Sequence, residues 1–490
     1  MHEETRAVSG ARHEVGVDDL FFSTTDAKGI IEQANSVFVR MSRFPWEQLV
    51  GAPHNIIRHP VMPGGAFKVL WDTCEAGRPF CAYVDNLAAD GSTYGVFATI
   101  TPLADGYLSV RSRPFVDALH DAAFSLYAAV RPEELRLRAE GVSAREAAER
   151  GAERLGQLLA EAGFSSYDEF IWTALPAEVQ ARMEHSAGIP QRSEATGTLA
   201  EMLTAAHRID AELRQWTARL AQLQNVADEL LAAAPVLRET VASNEQTANR
   251  IREADSSGAF ASVMVYLRVW ADMAPEIAPV LSELIDELNE LHASCAQTRF
   301  RIALAVLHND TVGQFLAEVI DDVAATGDAG PAIEALCRAL DEGMAETHQM
   351  AAHNAELAAA AARQIASLRD LLDMPQMMIR SWLDRADHSD PSTHQVAGTV
   401  NAQVERAQRD MDLLGSLSGE VSGIAVPLDG TLIGQQVGLL RTLSGSVQSS
   451  QAAPAPAAPS AYERPSWDQQ QWPEHPAGEQ HDALGWGNQG

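Results

Sequence analysis

Cysteine is scarce in this chain. Cys74, Cys81, Cys295 and Cys337 lie far apart and form no Cys-x-x-Cys pair, so neither a zinc ribbon nor a disulfide framework is encoded and a reducing compartment is expected. Lysine occurs only at Lys28 and Lys68. Positive charge as a whole is short: 36 Lys/Arg stand against 67 Asp/Glu, a formal net charge of −31. Such an acidic chain is repelled by nucleic-acid phosphates and by anionic lipid, which argues against either as its main partner. Long apolar runs are missing too. The opening MHEETRAVSGARHEVGVDD lacks the apolar core of a signal peptide, and FASVMVYLRVW is interrupted by Arg268 and closed by Asp272, short of the roughly 18 residues a membrane span needs. A soluble, cytoplasmic protein is expected.

Catalytic signatures are absent as well: there is no glycine-rich P-loop, kinase ATP site, cyclase Gly-Gly-Asp-Glu-Phe run or basic helix-turn-helix. Carboxylates are numerous, but they recur at surface spacings without a His or metal set. The expectation is a non-enzymatic protein without a metal site.

What is present divides the 490 residues into unlike parts. Residues 1–18 are expected to be flexible. From 19 to 115 apolar residues come in short runs separated by turn signals: LFFSTT, the turn DAKG, IIEQA, and later CAYVDNL, the turn ADGS, TYGVFATITPL, ADG and YLSVRSR. Helical stretches, SVFVRMSRFPWEQLV and GGAFKVLWDTCEAG, lie between. This order predicts an α+β domain: a five-stranded antiparallel sheet with flanking helices and a pocket between the layers. With 8 Lys/Arg against 9 Asp/Glu it is nearly neutral, whereas 116–450 carries 25 against 49, the solvated faces of helices.

Residues 116–192 read as a linker region of short amphipathic helices, broken near Pro132, Gly141, Gly163 and Pro176. The part from 193 to 425 reads as an elongated all-α bundle or coiled coil. Its clearest seam steps by sevens through Met202, Ile209, Trp216, Leu223, Leu230 and Leu237, with Ala206, Leu213, Leu220, Ala227, Ala234 and Val241 between. Pro235 is expected to kink it. A second helix is predicted over about 260–323, with a seam through Leu284, Leu288, Leu291, Cys295 and Ile302. A third covers about 331–387, a shorter one 394–421, and a short helical segment 426–449. The Pro/Gln-rich tail 450–490 is predicted to be disordered. A homodimer through the helices is expected, although packing within one chain would use the same seams.

The run PHNIIRHPVMPGGAFKVLW (53–71), taken with FFSTTDAKGIIEQANSVFVRMSRF before it and GRPFCAYVDNLAADGSTYGVFATITPL after it, resembles the PAS domain of bacterial aerotaxis receptors. The resemblance covers the first quarter of the chain. It implies a half-open glove that holds FAD without covalent attachment, with Asn35, His54, Arg58, His59, Phe67 and Trp71 at positions that line or shape the flavin cleft. An indole and a phenyl ring can wall a flat isoalloxazine, and arginine and histidine can meet its oxygens or phosphates. The sequence departs from the family at Val61, Asp85 and Gly95, and each change is expected to remove a polar or aromatic group near the cleft. An empty or differently filled pocket, or haem, are the alternatives to FAD.

The resemblance further implies a sensor of redox state, oxygen or a small ligand, coupled to a chemotaxis or other signalling protein. Residues 297–322, QTRFRIALAVLHNDTVGQFLAEVIDD, echo the hairpin tip of a chemoreceptor signalling region. Against the sensor stand a ligand-free PAS interaction or scaffold protein with a structural helical bundle, and an enzyme with an unrecognised helical active site.

Overall fold

The computed structural model describes residues 7–253, 272, 274–324, 329–384 and 428–451, with scattered positions at 265–269 and 401–423. The chain divides into two compact units, one essentially Met1–Phe170 and the other Ile171–Val323 with Asp328–Gln451.

The first unit is built on strands β1 (Leu20–Asp26), β2 (Ile31–Ala34), β3 (Phe80–Leu87), β4 (Thr93–Leu103) and β5 (Gly106–Ser112), in the sheet order β2-β1-β5-β4-β3 with every neighbour antiparallel. The predicted turns close it. In Asp26-Ala27-Lys28-Gly29, Asp26 Oδ1 accepts the Lys28 and Ile30 amides at 2.8 and 2.9 Å, and Gly29 takes the positive φ of 77° that a side chain would resist. Between β2 and β3 the chain forms α1 (Ser36–Ser42), α2 (Trp46–Leu49), a 3₁₀ turn (His54–Ile57) and α3 (Gly64–Glu75). Their apolar faces close over the sheet in a core that includes Phe21, Phe38, Leu49, Ile57, Tyr94 and Val96.

The amino-terminal stretch expected to be flexible is anchored from Ser9 onward. The Ser9 and His13 amides donate to Gly91 and Thr93 carbonyls, the Thr93 amide donates to Ala11, and Val15 is buried. It satisfies β4 backbone groups beyond the reach of β5, whose pairing with β4 begins at Phe97.

The short-helix expectation for 116–192 holds in part. Gly141 and Gly163 follow the ends of α4 (Asp117–Ala139) and α5 (Ala144–Glu161), but Pro132 lies inside α4 and Pro176 inside α6 (Tyr167–His185). A proline inside a helix loses its N–H bond and crowds the carbonyl four residues back, and packing on one face outweighs that cost. In α4 that face carries Ala123, Tyr127 and Val130, all buried.

The second unit consists mainly of α7 (Thr198–Glu253), α8 (Ile277–Ile320), α9 (Gly330–Leu383) and α10 (Thr431–Gln451), packed in the cyclic order α7-α8-α9-α10. Helix α7 continues through Pro235. All twelve residues of its seam are at most 8% exposed, and those from Leu223 onward share a core with Leu281, Leu288 and Leu291 of α8 and Ala361 and Ile365 of α9. The seam is therefore packed within one chain, the alternative that the same stripe also allowed. The α8 seam residues Leu284, Leu288, Leu291, Cys295 and Ile302 are likewise buried. Most of the helix predicted over 394–421, and the tail from 452, lie outside the described residues. Among the described residues no helix is long and apolar enough to cross a membrane.

Candidate functional site

Directly paired residues in an antiparallel sheet share a face. Phe21, Arg111, Ala98 and Ala82 therefore form one row across four strands, and Ser23, Ser109, Ile100 and Phe80 the next. This is the face covered by α1, the 3₁₀ turn and α3. Small residues at its centre, Ala82, Ala98, Ser23 and Ser109, leave depth that larger ones would fill. Val84 and Ile100 remain partly exposed, as do Phe67 and Trp71 on α3 in the same cluster, and it is here that the pocket expected between the layers would lie.

Helical spacing places Phe67 and Trp71 on one face of α3, four residues apart, in a cluster with Leu70, Cys74, Phe80 and Ala82. Trp71 meets Tyr107 edge-on, with ring centroids 5.3 Å apart. The Arg58 guanidinium stacks 3.6 Å from the centre of the Phe67 ring. His54 Nε2 accepts a hydrogen bond from Arg111 Nη2, and the His54 ring stacks on Phe38. Arg58 thus lies on Phe67, which shares its cluster with Trp71, while His54 lies against Arg111 and Phe38.

Asn35 and His59 do other work. The Asn35 carboxamide accepts the Phe22 and Phe38 amides at 3.2 and 3.3 Å and donates to the Leu20 carbonyl at 3.1 Å, capping α1 and tying it to β1. His59 Nδ1 accepts the Val61 amide at 3.1 Å and its Nε2 lies 3.1 Å from Thr93 Oγ1. Since Arg58 bridges Asn86 across the sheet edge, His59 points to the opposite side from Arg58. Both ring nitrogens of His59 have protein partners, and among the described residues no three His, Cys, Asp or Glu converge as a metal site.

Two of the departures from the family pattern do not lie where they were expected. By strand alternation Asp85 and Gly95, which pair with each other, face away from the side that carries Asn86 and Tyr94. Asp85 holds Arg12 with bonds of 2.8 and 3.1 Å. A Cβ on Gly95 would lie 3.3 Å from Arg12 Nη2 and 3.2 Å from Asp85 Oδ1, so the glycine makes room for this ion pair. The substitutions reshape the outer face and leave the cleft side intact. Val61 is exposed.

The electrostatics of the cleft rest on residues that the sequence reading passed over. Arg111 is 2% exposed, yet its polar partners are Ser23 Oγ and the His54 ring, with the faces of Phe38 and Phe21 beneath it. Among the described residues no carboxylate pairs with it. Burial pulls its pKa down to about 10, so it is still a cation at neutral pH. Burial, and then the Arg111 charge, hold His54 well below the usual histidine range, so it is the neutral acceptor. Burial also pulls Arg58 down to about 9, with Arg131 adding to the fall and Glu134 opposing it. Asn86 is 4% exposed and among the described residues its Nδ2 donor has no hydrogen-bond partner, a costly arrangement for a buried amide. The alternation Tyr107, Ser109, Arg111 was a usable signal, because it puts a charge on the buried face of a strand.

Glu134 of α4 reaches the same region from below. Its carboxylate accepts the Gly64 and Gly65 amides at 2.7 Å each, at the start of α3, and pairs with Arg131 at 3.1 Å. Arg131 also donates to the Pro60 carbonyl.

Over 101 residues the chain is 39% identical to the aerotaxis receptor of Escherichia coli (strain K12). The amino-terminal domain is a PAS domain of the aerotaxis-receptor type. The match covers 20% of this chain and 20% of the receptor, so the chain spans about a fifth of the length of the relative it matches. No family model matches. Beyond the PAS domain, residues 297–320 belong to the uninterrupted helix α8 rather than to a hairpin tip. There His308, Asn309, Asp310 and Thr311 are all buried among other helices.

The side chains on this face are of the kinds that a flavin site would use. Phe67 and Trp71 supply flat apolar walls. Asn86 Nδ2 and the Arg111 guanidinium are both hydrogen-bond donors, the kind of group that meets the carbonyl oxygens of an isoalloxazine.

Proposed function

We propose that this chain is a non-enzymatic signal-transduction protein whose PAS domain binds FAD and reports redox state to its helical part. The observation that carries the reading is the burial, on one face of the sheet, of a guanidinium without a carboxylate partner among the described residues, Arg111, and an amide donor without an acceptor there, Asn86. Burying a cation without a counter-charge is unfavourable, and a flavin edge would relieve both groups. A bound flavin supplies a change of electron count and ring charge. The chain's own residues do the rest: Arg111 and Asn86 hold the polar edge, Phe67 and Trp71 exclude water, and neutral His54 fixes the Arg111 fork.

A change of charge in the cleft would act on Arg58 and on α3, whose amino terminus is held by Glu134 of α4. Helix α4 is then the first element outside the cleft to feel it, and a shift between two packings of α3 on α4 is the two-state element that coupling requires. An acidic chain without a membrane-spanning helix among its described residues is compatible with a cytoplasmic signalling partner.

One observation favours a second reading. Arg58 already covers a face of Phe67, as in a ligand-free interaction module whose cleft is closed by its own side chains. Reconstitution separates the two: purified protein titrated with FAD gains flavin absorption and quenched flavin fluorescence if the first reading holds, and neither if the second does.

A further inference from the structure

The helical unit contains a cavity of its own, of about 520 Å³, between α6, α7 and α8. That volume falls within the range of about 300–1,000 Å³ typical of small-molecule sites. Val179 and Met183 come from α6, Ala218 and Ala221 from α7, and Ile302 from α8. The alanines create the space, since longer side chains at these helical positions would close it. The walls are mainly apolar, and two guanidiniums, Arg214 and Arg299, interrupt them.

The charges around the cavity do not cancel. Arg214 is neutralised by Asp210 at 2.9 Å, and buried Arg182 faces buried Asp310 at 3.8 Å. Among the described residues no carboxylate reaches Arg299 at ion-pair distance: its Nη1 donates to the neutral Gln224 Oε1. It is part-buried, and burial draws its pKa down despite the nearby Cys295 and Asp228. One uncompensated guanidinium on a largely apolar wall is a recognition pattern for a single anionic head on an apolar body.

We infer that this cavity is a second ligand site, one that takes a small amphipathic carboxylate with its carboxyl group on Arg299 and its hydrocarbon against Val179, Met183, Ala221 and Ile302. It shares no residue with the PAS cleft, so its occupancy can be tested whatever that cleft holds. A guest here would touch three helices at once and bias how α6 packs on α7 and α8.

The test is calorimetric titration of the full-length chain with sodium octanoate, and with 1-octanol as its uncharged counterpart. Saturable binding of octanoate at one site is expected. Arg299→Gln should weaken octanoate by at least about tenfold, the scale of a lost charge-assisted hydrogen bond, and leave octanol unchanged. Arg299→Lys should retain octanoate binding, which separates loss of charge from loss of fold. Ala221→Leu, which fills the cavity, should abolish binding of both. Absence of saturable octanoate binding to the unmodified chain would overturn the inference, as would equal affinity in Arg299→Gln or undiminished binding in Ala221→Leu.

Discussion

Glu134 Oε1 accepts the Gly65 amide at 2.7 Å, so a carboxylate on the helix that leaves the PAS domain caps the helix that walls its cleft. Oε2 does the same for Gly64, and Glu134 is 2% exposed. The negative group sits at the positive end of α3, where first-turn amides have no partner within the helix. Glu134→Ala strands those two amides and the Arg131 charge in a buried place. A loss of about 3 kcal/mol in chemical denaturation of the PAS unit is expected, with faster amide exchange at Gly64 and Gly65. Unchanged exchange would show that the contact does not hold α3.

The same junction requires Gly65. Its Cβ would fall 2.3 Å from the Gly151 carbonyl carbon on α5, a backbone atom that cannot swing aside. Gly65→Ala should separate α3 from α5, lower stability by about 1–3 kcal/mol, and alter the fluorescence of Trp71, six residues along the same helix. A variant as stable as the parent would contradict the close packing.

Arg111 allows a prediction of opposite sign. If the guanidinium is kept for a guest, Arg111→Met should remove FAD affinity while the flavin-free protein stays as stable or becomes more so, because an uncompensated buried cation gives way to an apolar chain. Denaturation of the flavin-free variant checks this. A drop of several kcal/mol would make Arg111 a structural cation.

In the helical unit, two buried groups on α8 titrate in opposition. Burial holds His308 down to about 4, so its folded form binds its proton later than the unfolded chain and stability falls as pH drops from 6.5 towards 4. Burial raises Asp310 to about 6, with Arg182 and Arg214 opposing and Asp210 assisting, so the folded form gains a proton early and stability rises as pH drops through 6 towards 3.8. The two trends largely cancel in wild type. Asp310→Asn removes the compensation and should lose about 3 kcal/mol between pH 6.5 and 4 that wild type retains. Parallel pH profiles for the two proteins would refute the opposition.

Much of the PAS fold was legible from local chemistry. Asp26-Ala27-Lys28-Gly29 encodes its hairpin through an aspartate that bonds its own loop and a glycine with positive φ, and Phe67 and Trp71 declare a common helix face by their spacing. The seam through Leu213 and Leu230 was equally plain, but its partner was not: the same stripe serves a second copy or the chain's own α8 and α9, and periodicity is blind to which. Pro132 and Pro176 misled because tertiary packing overrode a local breaker. The Arg12–Asp85 pair and the Glu134 cap join residues about seventy positions apart, beyond the reach of a local pattern. Arg111 was readable by strand alternation, and Asn86 needed the register that aligns it with Tyr94 and Arg58.

A flavin held on Asn86 and Arg111 would show in the visible absorption spectrum of the purified full-length chain, recorded alone and after addition of FAD, beside Asn86→Ala. Flavin bands that remain with the protein through gel filtration and are lost in the variant are expected. A parent protein that emerges colourless after incubation with FAD would contradict it.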